Sequence, residues 1–262
     1  MKIIKKSLII AEAMLLFLCC VINVSAVKSG GDCWFIKHSG NQQPKIPKEA
    51  EYIYDYGGYY IDTSLSADSD TKKLYITFDI GYENGNTEKI LNTLKEKNVP
   101  AAFFVLDNVI IKNTDLVKRM TDEGHLVCNH TKNHKDITKC SEEEIVKNIT
   151  ELEKLYTEKT GLEMSKYFRF PEGKYSRDAI KCVNSLGYKT VFWSFAYADW
   201  DNNRQPSAEF AMKKILSNTH NGAVILLHPT SKTNAEILPK LIDEWRGMGY
   251  EFGTLDELTA QR

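Results

Sequence analysis

The sequence predicts an α/β protein, a distorted (β/α)7 barrel that follows an irregular N-terminal extension. From residue 73 onward, short β-rich runs alternate with longer amphipathic runs, a pattern typical of a parallel sheet with helical crossovers. Seven such units are present, which suggests a closed or nearly closed barrel. Polar side chains recur where the predicted strands end, and that edge of a barrel usually carries function.

Residues 1–26 have the pattern of an export signal. Three lysines lie within the first six residues, an apolar run follows at 8–24, and small side chains precede a cleavage point after Ala26. The alternative is an uncleaved membrane anchor, because the run is nearly long enough to span a bilayer, although Glu12 lies inside it. Either way, we expect a secreted or envelope-associated protein outside the cytoplasmic membrane.

Residues 27–72 form the predicted extension, with Pro44, Pro47 and a tyrosine-rich stretch at 52–60 but few periodic apolar positions. Residues 73–262 form the predicted main domain. Its strands are expected at 74–79, 101–106, 126–130, 167–171, 190–195, 223–228 and 250–255. Helices are expected between them, for example at 87–97 and 142–159, and Ser141 and Gly161 are suitable start and stop residues for the second.

The composition is that of an ordinary globular protein, with 42% hydrophobic and 26% charged residues. The formal net charge is −1, so there is no electrostatic reason to expect nucleic acid as a partner. No protein partner is predicted.

Five predicted strands bring a chemically capable side chain to the same edge of the sheet. Asp79 ends the first strand and could act as a general base, with Arg169 to pair with it and keep it ionised. His228 ends the sixth strand and could act as a general acid, with Asp199 to favour its protonated form. Such a set can hydrolyse an amide by attack of water.

His130 and His134 are the candidate metal ligands. If the chain turns helical after the third strand, two histidines four positions apart face the same way and can bind one cation.

Together these residues resemble the polysaccharide deacetylases with a NodB homology domain, which form carbohydrate esterase family 4. The family's motifs occur in order as TFDIG at 77–81, HTKNH at 130–134, RFPEG at 169–173, DW at 199–200 and LLH at 226–228. The resemblance covers about residues 73–258 and implies a NodB-type barrel that removes N-acetyl groups from amino sugars.

A narrower resemblance is to the muramic acid deacetylases of spore-forming bacteria. It is carried by FDIGYENG at 78–85, FWSFAYADW at 192–200, LLHPTSKTNA at 226–235 and GYEF at 249–252. That branch implies sporulation: its members act on N-acetylmuramic acid in peptide-free peptidoglycan strands and prepare the muramic δ-lactam of spore cortex.

The resemblance also implies roles at the matching positions. Asp79 would be the base, His228 the acid, and Arg169 and Asp199 their tuning partners, while His130 and His134 would hold a divalent metal. The main-chain N–H of Glu172 would stabilise the oxyanion. Trp200 and Leu226 would line the pocket for the acetyl methyl. Tyr82, in the branch-specific stretch, is predicted to bind substrate.

Two departures from the family pattern bear on these roles. Ile80 replaces the third metal ligand, so we expect a divalent cofactor, zinc by the family's habit, to bind weakly through two histidines, to arrive with the substrate, or not to be needed as it is in the wider family. Glu172 stands where the branch commonly has Arg, which reverses a charge at the substrate rim.

Three functions therefore remain open. The first is deacetylation of N-acetylmuramic acid in peptidoglycan glycan strands. The second is deacetylation of N-acetylglucosamine units in peptidoglycan or chitin-like glycans, because fold and catalytic set do not fix the sugar. The third is a glycan-binding homologue with weak or no catalysis, which Ile80 motivates.

Overall fold

The computed structural model describes residues 31–260, and the predicted signal at 1–26 lies outside them. The strands of the described part are β1 (Asp32–Cys33), β2 (Gly58–Tyr59), β3 (Lys72–Ile80), β4 (Ala102–Val105), β5 (Leu126–Asn129), β6 (Ser165–Phe168), β7 (Lys174–Tyr175), β8 (Lys189–Val191), β9 (Ala223–Leu227) and β10 (Tyr250–Phe252). Its α-helices are α1 (Thr87–Glu96), α2 (Asp107–Lys112), α3 (Thr114–Asp122), α4 (Glu142–Thr160), α5 (Arg177–Ser185), α6 (Ala208–Leu216), α7 (Lys232–Gly247) and α8 (Leu255–Thr259). Short 3₁₀-helices lie at Lys48–Tyr56, Ile137–Lys139 and Pro171–Gly173.

The main sheet is parallel and curls into a nearly closed barrel. Its strand order is β10-β3-β4-β5-β6-β8-β2, and β9, which lies off this path, also pairs with β3. The gap between β8 and β9 is bridged just beyond β8, where Phe195 pairs with Ile225 and accepts a 2.9 Å hydrogen bond from the Leu226 N–H. The predicted barrel fold and its seven strands are confirmed.

The pleat of β3 explains which side chains face the site. Leu74, Ile76, Phe78 and Ile80 pack in the large hydrophobic cluster shared with the helices. Tyr75 is one residue out of phase and belongs to a separate cluster with Phe104, Cys128 and Val224 inside the barrel. Because side chains alternate along a strand, Asp79 lies on the inner side with Tyr75, whereas Ile80 lies on the helix side.

Three predicted strands end at least three residues early, and one of them, predicted at 250–255, ends at Phe252. The strand predicted at 167–171 ends at Phe168, since Pro171 has no N–H to donate and begins a 3₁₀-helix. The strand predicted at 190–195 ends at Val191. The carbonyls of Val191 and Phe192 accept hydrogen bonds from Arg169 rather than from a neighbouring strand. The helix boundaries at Ser141 and Gly161 are confirmed, with a capping box and a left-handed C-cap.

The extension carries more regular structure than its sequence predicts. In its described part, β1 pairs antiparallel with β7, and β2 joins the main sheet beside β8. Trp34, Tyr52, Ile53, Tyr60 and Ile61 pack in one hydrophobic cluster with Phe168, Phe170 and Phe192. Among residues 31–260, no helix is long and apolar enough to cross a membrane.

Candidate active site

The carboxyl ends of the barrel strands surround a cleft of about 910 Å³. Asp79, His130 and His228 line it, and Arg169, fully buried, lies behind them and reaches Asp79. Phe78 on β3 is in register with Leu227 on β9, so Asp79 and His228 follow at neighbouring positions on adjacent strands. Such strands lie about 4.8 Å apart.

Asp79 is held as a buried carboxylate. Its Oδ1 accepts a 2.8 Å hydrogen bond from Arg169 Nη1, and its Oδ2 lies 3.6 Å from His130 Nε2. Burial acts to raise the pKa of this carboxyl, but the Arg169 guanidinium, together with His130 and His228, offsets burial and holds the pKa below its usual range.

Arg169 is itself fixed on every side. Its Nε donates to the Val191 carbonyl at 2.9 Å and its Nη2 to the Phe192 carbonyl at 3.2 Å, and the guanidinium lies 4.1 Å from the centre of the Phe104 ring. Among these contacts, Asp79 is the only negatively charged group, so the guanidinium forms its ion pair with that carboxylate.

His228 also has a buried carboxylate partner. Its Nδ1 lies 2.7 Å from Asp199 Oδ1, and its main-chain N–H donates to Asp199 Oδ2 at 2.8 Å. Burial acts to lower the pKa of His228, but Asp199, with a smaller contribution from Asp79, offsets burial and raises the pKa above the usual value. The Nδ1–Asp199 bond leaves Nε2 for the cleft.

Asn234 completes this pair and was not singled out from the sequence. Its Nδ2 donates to Asp199 Oδ2 at 2.6 Å and to the His228 carbonyl at 3.1 Å, while its Oδ1 accepts from the Tyr197 hydroxyl. The side chain is buried in the first turn of α7, after the N-cap Ser231. Its place six residues after His228 is the signal that could have found it.

His130 and His134 do come together, but not through a helix, so that part of the prediction is wrong. Thr131 and His134 adopt left-handed backbone conformations, with φ of 67° and 58°, and the loop between them brings the two imidazole centres to 5.0 Å. The buried Asn129 side chain supports the loop by accepting from the Thr131 N–H at 3.0 Å.

The metal-ligand set is incomplete for a three-ligand site. His130 Nδ1 lies 2.9 Å from the Arg169 carbonyl, an arrangement that presents Nε2 as a ligand. Burial lowers the pKa of His130 to about 4, so the ring is neutral and keeps that lone pair. Ile80, however, is fully buried among the helix-facing apolar residues. Within residues 31–260, no three or more His, Cys, Asp or Glu side chains form a group that could hold a metal ion. The residues present therefore do not fit a three-ligand centre.

The remaining predicted site residues lie at the cleft. Glu172, Trp200, Leu226 and Tyr82 all line it. Leu226 is buried in its floor, whereas Trp200 and Tyr82 are exposed at its rim by 64% and 48%. Trp193 and Tyr197 also line the cleft and were not assigned from the sequence.

Glu172 is held in an unusual backbone conformation, with φ of 56° and ψ of 12°. Its carboxylate points outward and forms an ion pair with Lys174 Nζ at 2.6 Å. The side chain is 55% exposed, so this ion pair contributes little stability.

The strand ends of this barrel bring a carboxylate bonded to Arg169 and an imidazole bonded to Asp199 to one cleft. A base and an acid in this arrangement are typical of a hydrolase. The polysaccharide deacetylase family model matches residues 66–191. The chain is 35% identical to the peptidoglycan-N-acetylmuramic acid deacetylase PdaA of Bacillus subtilis, over 87% of this chain and 86% of that protein. It is also 34% identical to the peptidoglycan-N-acetylglucosamine deacetylase PgdA of Listeria monocytogenes, over 73% of this chain and 40% of that protein.

Among solved structures, that of Bacillus subtilis PdaA, a family 4 carbohydrate esterase, superposes with a TM-score of 0.82 at 34% identity. The match covers 88% of this chain and 97% of that one. The chain belongs to the polysaccharide deacetylase family, whose enzymes hydrolyse N-acetyl amide bonds.

Proposed function

We propose that this enzyme removes N-acetyl groups from the amino sugars of peptidoglycan. One observation carries the proposal: Asp79 and His228, each paired with its own buried counter-charge, face a single cleft from adjacent strands. A base and an acid at neighbouring strand ends can act on the two sides of one amide group.

Asp79 would activate the water. Its depressed pKa keeps it ionised at neutral pH, and Arg169 fixes one of its oxygens while the other stays available to a proton. His228 would then protonate the departing amine, because Asp199 raises its pKa and so favours the charged ring. Acetate and a free amino sugar are the products.

The Glu172 main-chain N–H would stabilise the negative charge that develops on the carbonyl oxygen. Glu172 lines the cleft and is followed by Gly173, and both residues have positive φ. A main-chain N–H held at the cleft is the kind of fixed donor that stabilises a developing oxyanion. The side chain takes no part in this role, so a change from Arg to Glu does not remove the donor.

Any divalent ion would be held by His130 and His134, whose imidazoles are the available ligands at the cleft. Such an ion would polarise the substrate carbonyl. Two imidazoles bind it less firmly than three protein ligands, so we propose a weak site.

The substrate we favour is N-acetylmuramic acid in peptide-free strands, the step that supplies the free amine for muramic δ-lactam. Similarity to PdaA over most of both chains supports this sugar. The export pattern at the N-terminus supports action outside the cytoplasmic membrane, on the wall. A role in sporulation is supported only by the resemblance to the muramic acid deacetylases of spore-forming bacteria.

The competing substrate is N-acetylglucosamine, and Glu172 favours it. A carboxylate at the cleft rim repels the anionic lactyl group of muramic acid, and Lys174 offsets this charge only in part because the pair is exposed.

The deciding experiment measures acetate released from peptide-free muramic strands and from N-acetylglucosamine oligomers, with Asp79→Asn as the inactive control. We expect the muramic substrate to be used with the higher kcat/KM. A higher kcat/KM for the N-acetylglucosamine oligomers would identify N-acetylglucosamine as the substrate. Binding of both glycans with no acetate above the control, at any divalent metal concentration, would identify a binding protein instead.

A further inference from the structure

Trp34 lies where the N-terminal extension crosses behind two segments of the cleft wall. Its main-chain N–H donates to the Gly173 carbonyl at 2.8 Å, and its indole Nε1–H donates to the Trp193 carbonyl at 2.9 Å. The indole is 4% exposed and stacks on Phe192 with ring centres 4.3 Å apart. One residue thus joins the two segments, with its main chain bonded to the Glu172 loop and its side chain bonded to the 192–193 segment.

The Glu172 loop needs such support, because its backbone conformation is costly. Glu172 is a non-glycine residue at positive φ, and an isolated residue of this kind persists only where its surroundings impose it. Gly173, at φ 67°, packs so closely that an added Cβ would lie 2.8 Å from Trp193 Cη2 and 3.1 Å from Trp34 Cβ. The β1–β7 pairing, Asp32 with Tyr175 and Cys33 with Lys174, continues this contact along the chain.

The 191–193 segment carries a second duty. Its carbonyls at Val191 and Phe192 hold Arg169, which in turn holds Asp79. The next carbonyl, that of Trp193, is the one that accepts from Trp34. Trp34 therefore ties the loop with the proposed oxyanion donor to the segment that supports the base.

We propose that Trp34 is a positioning residue for deacetylation, which sets the direction of the Glu172 N–H relative to Asp79. It lies outside residues 66–191, the region that the family model matches. The extension is thus part of the catalytic scaffold rather than a tether. This inference rests on the proposed function.

The test compares Trp34→Phe with Trp245→Phe. Trp245 is also buried, and its Nε1 donates a hydrogen bond of the same 2.9 Å length, to Thr219 Oγ1, with neither residue lining the cleft. Both variants lose one buried indole hydrogen bond, so we expect similar falls in melting temperature. We expect Trp34→Phe alone to lower kcat, by about tenfold, since losing an oxyanion donor outright costs about 10²–10³. KM and the pH profile should stay near wild type.

Equal kcat for the two variants would overturn the inference while leaving the proposed function intact. A wild-type protein that releases no acetate would contradict both the inference about Trp34 and the proposed function. If Trp34→Phe does not fold, Gly173→Ala and Gly187→Ala replace the pair. Both glycines have positive φ, but only a Cβ at Gly173 would meet other atoms, those of Trp34 and Trp193, within 4 Å. A kcat loss confined to Gly173→Ala supports the inference, and an equal loss contradicts it.

Discussion

Two pairs of residues at the cleft differ in how completely they are bonded to partners. Asp79 and His228 form one pair, and His130 and His134 form the other. Asp79 has Arg169, and His228 has Asp199, which Asn234 holds in turn. The two imidazoles have no third ligand at position 80, where the side chain packs among apolar residues. The proposed base and acid thus each have a buried partner, while the proposed metal-binding side is reduced to two ligands.

The difference shows which groups a single substitution can damage most. A buried charge whose partner is removed is costly, because the remaining charge stays desolvated and uncompensated. His134 belongs to neither ion pair, so a change there should act on affinity for an ion rather than on the integrity of the site.

Asp79→Asn should have the largest effect. It removes the proposed base but keeps the shape and one hydrogen-bond acceptor for Arg169, so we expect turnover to fall by about 10³-fold, within the range for general-base loss. Acetate release at saturating substrate measures it, with thermal unfolding as the control for folding. A loss of less than tenfold would show that another group activates the water.

His228→Ala should come next, with a loss of at least about a hundredfold, the usual scale for a general acid. His220→Ala is a suitable control, since it removes another buried histidine, one that contacts Ser194 and the Asn218 carbonyl but does not line the cleft. A loss of under fivefold for His228→Ala would remove this residue from the role.

Asp199→Asn should give a smaller loss, about tenfold at neutral pH, together with a shifted pH profile. A general acid works only while protonated, so activity declines as pH rises through the pKa of His228. Asp199 raises that pKa, and its loss lowers it, so the basic limb of kcat should move to lower pH. An unmoved basic limb would mean that His228 is not the group that titrates there.

Much of this arrangement could be predicted, because it follows from the alternation of strand and helix patterns and from the place of polar residues at strand ends. The alternating segments place Asp79 and His228 at the ends of strands, and parallel strands end at one edge. The contacts of Trp34 could not be predicted, since Trp34 and Trp193 lie 159 positions apart and the extension has no apolar period. The turn at His130 was missed because left-handed Thr131 and His134 leave no mark in residue type.

Removal of divalent metal should have the smallest effect of the set. Two imidazoles without a third protein ligand hold an ion weakly, so we expect dialysis against a chelator to lower turnover by less than about tenfold. Metal analysis before and after dialysis shows whether an ion was present, and His134→Ala is the matched variant, expected to weaken metal binding in a direct titration. A chelator effect as large as that of His228→Ala would contradict this expectation. It would show that two imidazoles hold the ion firmly enough for the ion to govern the rate.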